Sequence, residues 1–249
     1  MTSDWLGLEG SVVLVTGAGS GIGAAVAAAT SRHGATPVLL DRDREAVERM
    51  AAGIPRALAI AADVTDEGAM EAAMRTTLDA AGRLDALVAC AGVSGPVGTP
   101  LERTSLADWR RVLEVNVTGA FLALKHALPA LRASEHGAAV LLASDSAHVA
   151  APGMAPYGAS KAAVVQLARA ASVETAGAVR ITALCPSIVD TPMSRRDLGV
   201  DGFDDVGVPV HRADEVAEHA LFLASPRAVG IHGTTLTADF GSSGNTSTA

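Results

Sequence analysis

The chain is 249 residues long, 49% hydrophobic but only 3% aromatic, and carries a formal net charge of −8. That charge argues against a nucleic-acid partner, whose binding needs clustered cations, and no apolar stretch reaches the length of a membrane span. The N-terminus lacks a charged-then-apolar leader pattern, and Cys90 and Cys185 sit in apolar runs as buried free thiols, so a cytoplasmic location is expected.

The first apolar run, Val12–Val15, leads into Thr16-Gly17-Ala18-Gly19-Ser20-Gly21-Ile22-Gly23, where an alanine-rich helix, Gly21–Arg32, opens. Glycines permit a tight turn and a close backbone approach, and a helix N-terminus offers free N–H groups with a favourable dipole. The turn therefore suits a pyrophosphate. A second strand, Thr36–Leu40, ends at Asp41, whose carboxylate can accept hydrogen bonds from an adenosine ribose and repels a 2′-phosphate. Asp41 thus favours NAD over NADP. Arg42 reads as a solvated residue at a helix start, although a cation there can receive a phosphate. Helix Arg44–Ala52 and strand Ala57–Ala61 precede Asp63-Val64, placed to hold an adenine edge. After helix Glu67–Ala80, strand Ala86–Cys90 ends at Ala91-Gly92, small residues that let a ribose pass close by.

The pattern continues with a long helix Leu106–Ala133, strand Ala138–Ala143, helix Ala155–Ala176, strand Val179–Leu184, a helix near Asp214–Ala224 and a strand near Thr234–Ala238. Continuous apolar strands bounded by helices predict a parallel sheet covered on both faces. We expect a single α/β domain over 1–249, a doubly wound Rossmann fold whose polar tail, Ser242–Ala249, frays.

The rarest polar residues mark the chemistry. Tyr157 is the one tyrosine, and Lys161 is one of two lysines. Four residues apart on a helix, they share a face. Ser144 follows a strand thirteen residues before the tyrosine. A phenol, a hydroxyl and an ammonium that converge are the parts of a proton-transfer site. A free phenol has a pKa of about 10, and a nearby ammonium favours its anion.

These residues carry a resemblance that spans nearly the whole chain. Thr16–Gly23, Asp63-Val64, Ala91-Gly92, Asn116-Val117-Thr118-Gly119, Ser144, Tyr157–Lys161 and Pro186–Thr191 occur in the order and spacing of the short-chain dehydrogenases/reductases. The resemblance implies catalytic roles for Asn116, Ser144, Tyr157 and Lys161. Tyr157 would be the general acid/base and Ser144 would hold the substrate oxygen. Lys161 would bind the nicotinamide ribose, and Asn116 would anchor a proton-relay water. It implies a cofactor site formed by Gly17, Ser20, Gly21, Ile22, Gly23, Asp41, Arg42, Asp63, Val64, Ala91, Gly92, Tyr157, Lys161, Pro186, Val189 and Thr191, with no metal. A homo-oligomer, dimer or tetramer, is implied through the helices Leu106–Ala133 and Ala155–Ala176. The substrate would be a small alcohol or carbonyl compound. An NADP-dependent carbonyl or oxoacyl reductase and a non-catalytic NAD-binding module are the alternatives.

Three departures stand out. Cys90-Ala91-Gly92 replaces Asn-Ala-Gly, Pro186-Ser187 replaces Pro-Gly, and Asp239-Phe240-Gly241 replaces a more glycine-rich ending. Substrate contacts are expected from Ser144, Tyr157, His148 and Met193. The segment Met193–His211, with Gly199, Gly202 and Gly207, reads as a pliable lid in which Arg195 and Arg196 can attract an anion. Asp145–His148 locally resembles the dihydrodiol (2,3-dihydro-2,3-dihydroxybenzoate) dehydrogenases.

Overall fold

The computed structural model describes residues 5–203 and 207–244. In chain order the elements are β1 (Val12–Thr16), α1 (Gly21–Arg32), β2 (Thr36–Asp41), α2 (Arg44–Ala52), β3 (Leu58–Ala61), α3 (Glu67–Ala81) and β4 (Ala86–Ala89). Then follow α4 (Leu106–Leu113), α5 (Gly119–Ala133), β5 (Ala138–Leu142), α6 (Ala155–Thr175), β6 (Arg180–Pro186), β7 (Val189–Asp190), α7 (Pro192–Leu198), β8 (His211–Arg212), α8 (Ala213–Ala224) and β9 (Thr235–Ala238). Seven strands form one parallel sheet in the order β3-β2-β1-β4-β5-β6-β9, and β7 pairs with β8 in a separate two-residue ladder.

Alternation along the strands divides the core in two. Val12 and Leu14 of β1, Leu87 of β4 and Leu141 of β5 face one apolar layer, supplied by α3, α5 and α6. Val13, Val15, Val88 and Val140, one residue out of phase, face the layer built by α1, α2 and α8. Strands β1, β2, β4, β5 and β6 are buried on both faces, which is why they read as largely apolar runs rather than as polar–apolar alternation, while the edge strands β3 and β9 are half-buried. The chain winds outward from β1 in one direction and from β4 in the other, so a crevice opens at the carboxyl ends of these neighbours.

The structure adds detail to three expectations. The long helix expected over Leu106–Ala133 is broken by a π-helical turn, Glu114–Thr118, between α4 and α5. The expected lid contains an ordered helix, α7. Its N-terminus is capped by the Thr191 hydroxyl, which accepts from the Ser194 N–H at 3.2 Å. At the tail, Ser242–Gly244 forms a 3₁₀ turn in which Asp239 accepts the Ser243 N–H at 2.7 Å; the expectation of fraying falls mostly beyond Gly244, outside the described residues. Phe240 takes a left-handed backbone (φ 55°) and stacks on His211 with ring centroids 4.1 Å apart.

Candidate active site

The crevice is a cleft of about 830 Å³, lined from the carboxyl ends of β1, β2, β4, β5 and β6 and by α7. Its two ends are built differently.

At the first end the backbone does the shaping. A Cβ on Gly23 would stand 2.2 Å from the Gly17 carbonyl oxygen, and one on Gly17 would stand 2.8 Å from Ala91 Cα and N. Gly17 also holds φ at +67°. Neither position admits a side chain. The Gly19 N–H donates to Asp41 Oδ2 at 2.9 Å and the Asp43 N–H to Asp41 Oδ1 at 3.0 Å, so Asp41 braces the turn from the end of β2. Helices α2, α3 and α4 are capped by Asp43, Asp66 and Ser105, and each has an acid in its first turn. Helix α1 has neither: Ser20 makes no side-chain cap bond among the described residues, and no acid follows it. The N-terminal N–H groups of α1 are left to whatever occupies the cleft, and an anion is favoured there.

Arg42 and Asp63 face the cleft together. The Thr65 N–H, with the Thr65 hydroxyl and the Arg42 charge, holds the Asp63 carboxyl below the usual carboxylate range despite the opposing pull of burial. Ser20, Ile22, Val64, Ala91, Gly92, Pro186, Val189, Thr191 and Met193 all line the cleft, as expected. Ser187 replaces a glycine without needing a left-handed backbone, and its buried hydroxyl has no partner among the described residues.

At the second end, side chains converge from β5 and α6. The Lys161 ammonium donates to the Leu142 carbonyl at 2.8 Å and lies 5.5 Å from the centroid of the Tyr157 ring. It is 4% exposed, and loss of hydration lowers its pKa to about 8. Burial pushes the Tyr157 phenol up to about 12; a hydrogen bond with Ser144 pulls it down, while the charges of Asp145 and Asp197 add to the rise. Desolvation therefore outweighs the anion stabilisation expected from the neighbouring ammonium. The same loss of hydration raises Cys90 to about 12 and Cys185 to about 11, which disfavours their thiolates.

Asn116 sits behind the cleft rather than in it. Its Oδ1 accepts the Val93 N–H at 2.8 Å, while its Nδ2 donates to the Val93 carbonyl and to the Ser160 hydroxyl, both at 2.9 Å. Ser160 in turn donates to the Tyr157 carbonyl at 2.7 Å. Both amide protons are committed, so the Asn116 side chain has none to give a relay water. It joins the loop after β4 to the helix that carries Tyr157, and the π-helical turn is what swings it inward. Widened turns of this kind recur at functional sites.

His148 stands apart from the other expected substrate contacts. It is exposed, beyond the short 3₁₀ turn after Ser144, and does not line the cleft. Arg195 turns to Asp190, with bonds of 2.6 and 2.8 Å, whereas Arg196 does reach the cleft, paired with Asp197. Lining groups not anticipated from sequence include Val93, Ser94, Arg111 and Asp197. For Asp197 the signal was present, a carboxylate beside an arginine pair in the expected lid.

A seven-stranded parallel sheet with a glycine cradle at its switch point, and a serine, tyrosine and lysine facing it, defines a nucleotide-dependent oxidoreductase of the Rossmann type. The chain belongs to the short-chain dehydrogenase/reductase family. Residues 17–243 match the family model described as enoyl-(acyl carrier protein) reductase. The chain is 40% identical over 242 residues to meso-2,3-butanediol dehydrogenase of Serratia marcescens, covering 94% of each. It is 38% identical over 236 residues to a mitochondrial borneol dehydrogenase of Lavandula x intermedia, covering 94% of this chain and 91% of that one. Among solved structures, the 3-ketoacyl-(acyl-carrier-protein) reductase of Brucella melitensis complexed with NADH superposes with a TM-score of 0.88 at 35% identity. That match covers 95% of this chain and 99% of the other. No helix among the described residues is long and apolar enough to cross a membrane.

Proposed function

We propose that this protein is an NAD-dependent oxidoreductase that interconverts a secondary alcohol and its ketone, with Tyr157 as general acid/base. The observation that carries this reading is the pairing of a backbone cradle with a serine–tyrosine–lysine cluster at opposite ends of one cleft. The cradle fits a dinucleotide: Gly17 and Gly23 leave no room for a Cβ, and the α1 N-terminus is uncapped and free of acid, as a pyrophosphate requires. Asp41 keeps spare lone pairs beyond the two N–H groups it holds, and these can accept ribose hydroxyls. Arg42 is balanced by Asp63, which supports NAD over NADP.

When bound, the nicotinamide would supply the hydride acceptor or donor and, in its oxidised form, a positive ring charge. The chain's own residues handle the proton. A phenol held near 12 is protonated at neutral pH and ready to donate to an alkoxide forming beside Ser144. In the oxidative direction the tyrosinate must be favoured by positive charge, and Lys161 stands 5.5 Å from the ring centroid. Asn116 acts as a positioning residue, holding the loop after β4 and, through Ser160, the backbone of Tyr157.

A homo-oligomer and cytoplasmic residence belong to the same proposal. Ala159, Ala162 and Ala170 leave a small-residue face of α6 exposed, suited to close helix contact, which light scattering in solution would test. The primary test is to offer the purified protein NAD⁺ or NADP⁺ with a panel of secondary alcohols, polyols and hydroxyacyl thioesters. Reduced cofactor should form with NAD⁺ in preference to NADP⁺. Saturable NADH binding with no turnover across the panel would replace the enzyme by a binding module, and tighter binding of NADPH would overturn the reading of Asp41.

A further inference from the structure

Asp145 follows Ser144 directly and lines the cleft. Its Oδ1 accepts the Ser144 hydroxyl at 2.9 Å and the Ser146 hydroxyl at 3.4 Å. Its Oδ2 makes no hydrogen bond among the described residues. A carboxylate offers about four lone-pair sites, so half of this one is open toward the cleft.

The Ser144 hydroxyl fixes the scale. Under the proposed reaction the carbinol oxygen sits between Ser144 and Tyr157. The Asp145 carboxylate is then one hydrogen-bond length further on. Whatever substituent adjoins the carbinol carbon on that side meets an acceptor that has no proton to give. Asp197 adds a second carboxylate from α7, with its side chain 14% exposed and Oδ1 taking Arg196 at 3.0 and 3.2 Å. Arg196 is thereby balanced, and the Asp145 and Asp197 carboxylates both bear on Tyr157.

We propose that Asp145 is a specificity-determining residue that accepts a hydrogen bond from a second hydroxyl adjacent to the reacting carbinol, which makes the substrate class a vicinal diol or polyol. The same carboxylate excludes a substrate bearing a carboxylate or phosphate at that position. The inference rests on the oxidoreductase reading above.

The test compares wild type and Asp145→Asn on three matched probes, butane-2,3-diol, butan-2-ol and 2-hydroxybutyrate, with the oxidised cofactor in excess. Wild type should favour the diol. A hydrogen bond to a charged group is worth about 1 kcal/mol more than one to a neutral group, so the amide should lower the diol-to-monoalcohol ratio of kcat/KM by about fivefold. Relief of like-charge repulsion should raise the hydroxy-acid-to-monoalcohol ratio by a similar factor. Unchanged ratios, even if all three rates fall together, would overturn the proposal and leave Asp145 acting through Ser144 alone. Melting curves verify folding, and Asp145→Ser replaces the amide if that variant fails to fold. A wild type that oxidises butan-2-ol in preference to the diol sinks the diol inference while keeping the enzyme. A wild type that oxidises no secondary alcohol sinks the reading beneath it.

Discussion

The two ends of the cleft fail in opposite ways. The glycine end works because atoms are absent: one methyl group on Gly23 would occupy the space of the Gly17 carbonyl. The other end works because three side chains, Ser144, Tyr157 and Lys161, are present, so it is undone by atoms removed rather than atoms added. The first end holds a ligand by shape and backbone dipoles, the second moves a proton between titratable groups. Binding and chemistry in this fold are therefore separable by mutation, and the separation can be measured.

The largest effect should come from the chemical end. Tyr157→Phe removes only the hydroxyl and leaves the ring beside Lys161, so kcat should fall by roughly 10²- to 10⁴-fold, the usual worth of a positioned acid/base. The glycine turn is untouched, so NADH titration should show an affinity within about threefold of wild type. Turnover that survives the change would remove Tyr157 from the mechanism. The reciprocal variant is Gly23→Ala. Forcing a Cβ to within 2.2 Å of a carbonyl oxygen should cost about 1–3 kcal/mol of stability by overpacking. The melting temperature should drop by several degrees and NADH affinity by at least about tenfold. If Gly23→Ala bound NADH normally, the backbone account of that end would be wrong.

This contrast also explains what could be read from the sequence. The strands were legible because burial on both faces of the central ones leaves few polar residues to blur them, and all seven sheet strands fall within two residues of their expected bounds. The cradle was legible because Gly17, Gly21 and Gly23 lie in one short segment. Tyr157 and Lys161 were legible through their helical spacing. The break at Glu114–Thr118 was not, because a π-helical turn preserves the helical look of Glu-Val-Asn-Val-Thr and only a three-dimensional partner, Val93, reveals what Asn116 is for. His148 lies farther from the cleft than its place in the chain suggests, for a related reason. Proximity to Ser144 in the chain does not carry through the 3₁₀ turn at Asp145–Ala147, which sends the residues after it outward. The order in α7 depends on a cap between Thr191 and Ser194 that a glycine-rich context obscures.

The smallest effect concerns protons rather than atoms. Lys161 is buried with its pKa lowered from 10.5 to about 8, so between those values the unfolded chain holds a proton that the folded chain has released. Stability must then rise with pH across about 8 to 10.5 as far as Lys161 is concerned. Tyr157 acts in the opposite sense: raised from 10 to about 12, it keeps its proton when folded, and its contribution is lost as pH climbs through that interval. Cys90 and Cys185, both raised from 9, oppose Lys161 from about pH 9 upward. From these four groups the expected profile of the cofactor-free protein is a shallow maximum near pH 9. The Lys161 term is isolated by subtraction, because Lys161→Met retains the phenol and both thiols. Thermal melting of the two proteins from pH 7.5 to 9.5 should show the wild type gaining on the variant by up to about 2 kcal/mol. Parallel profiles would mean that the ammonium in this cleft is as well solvated as one at the surface, and the electrostatic half of the comparison would have to be redrawn around water.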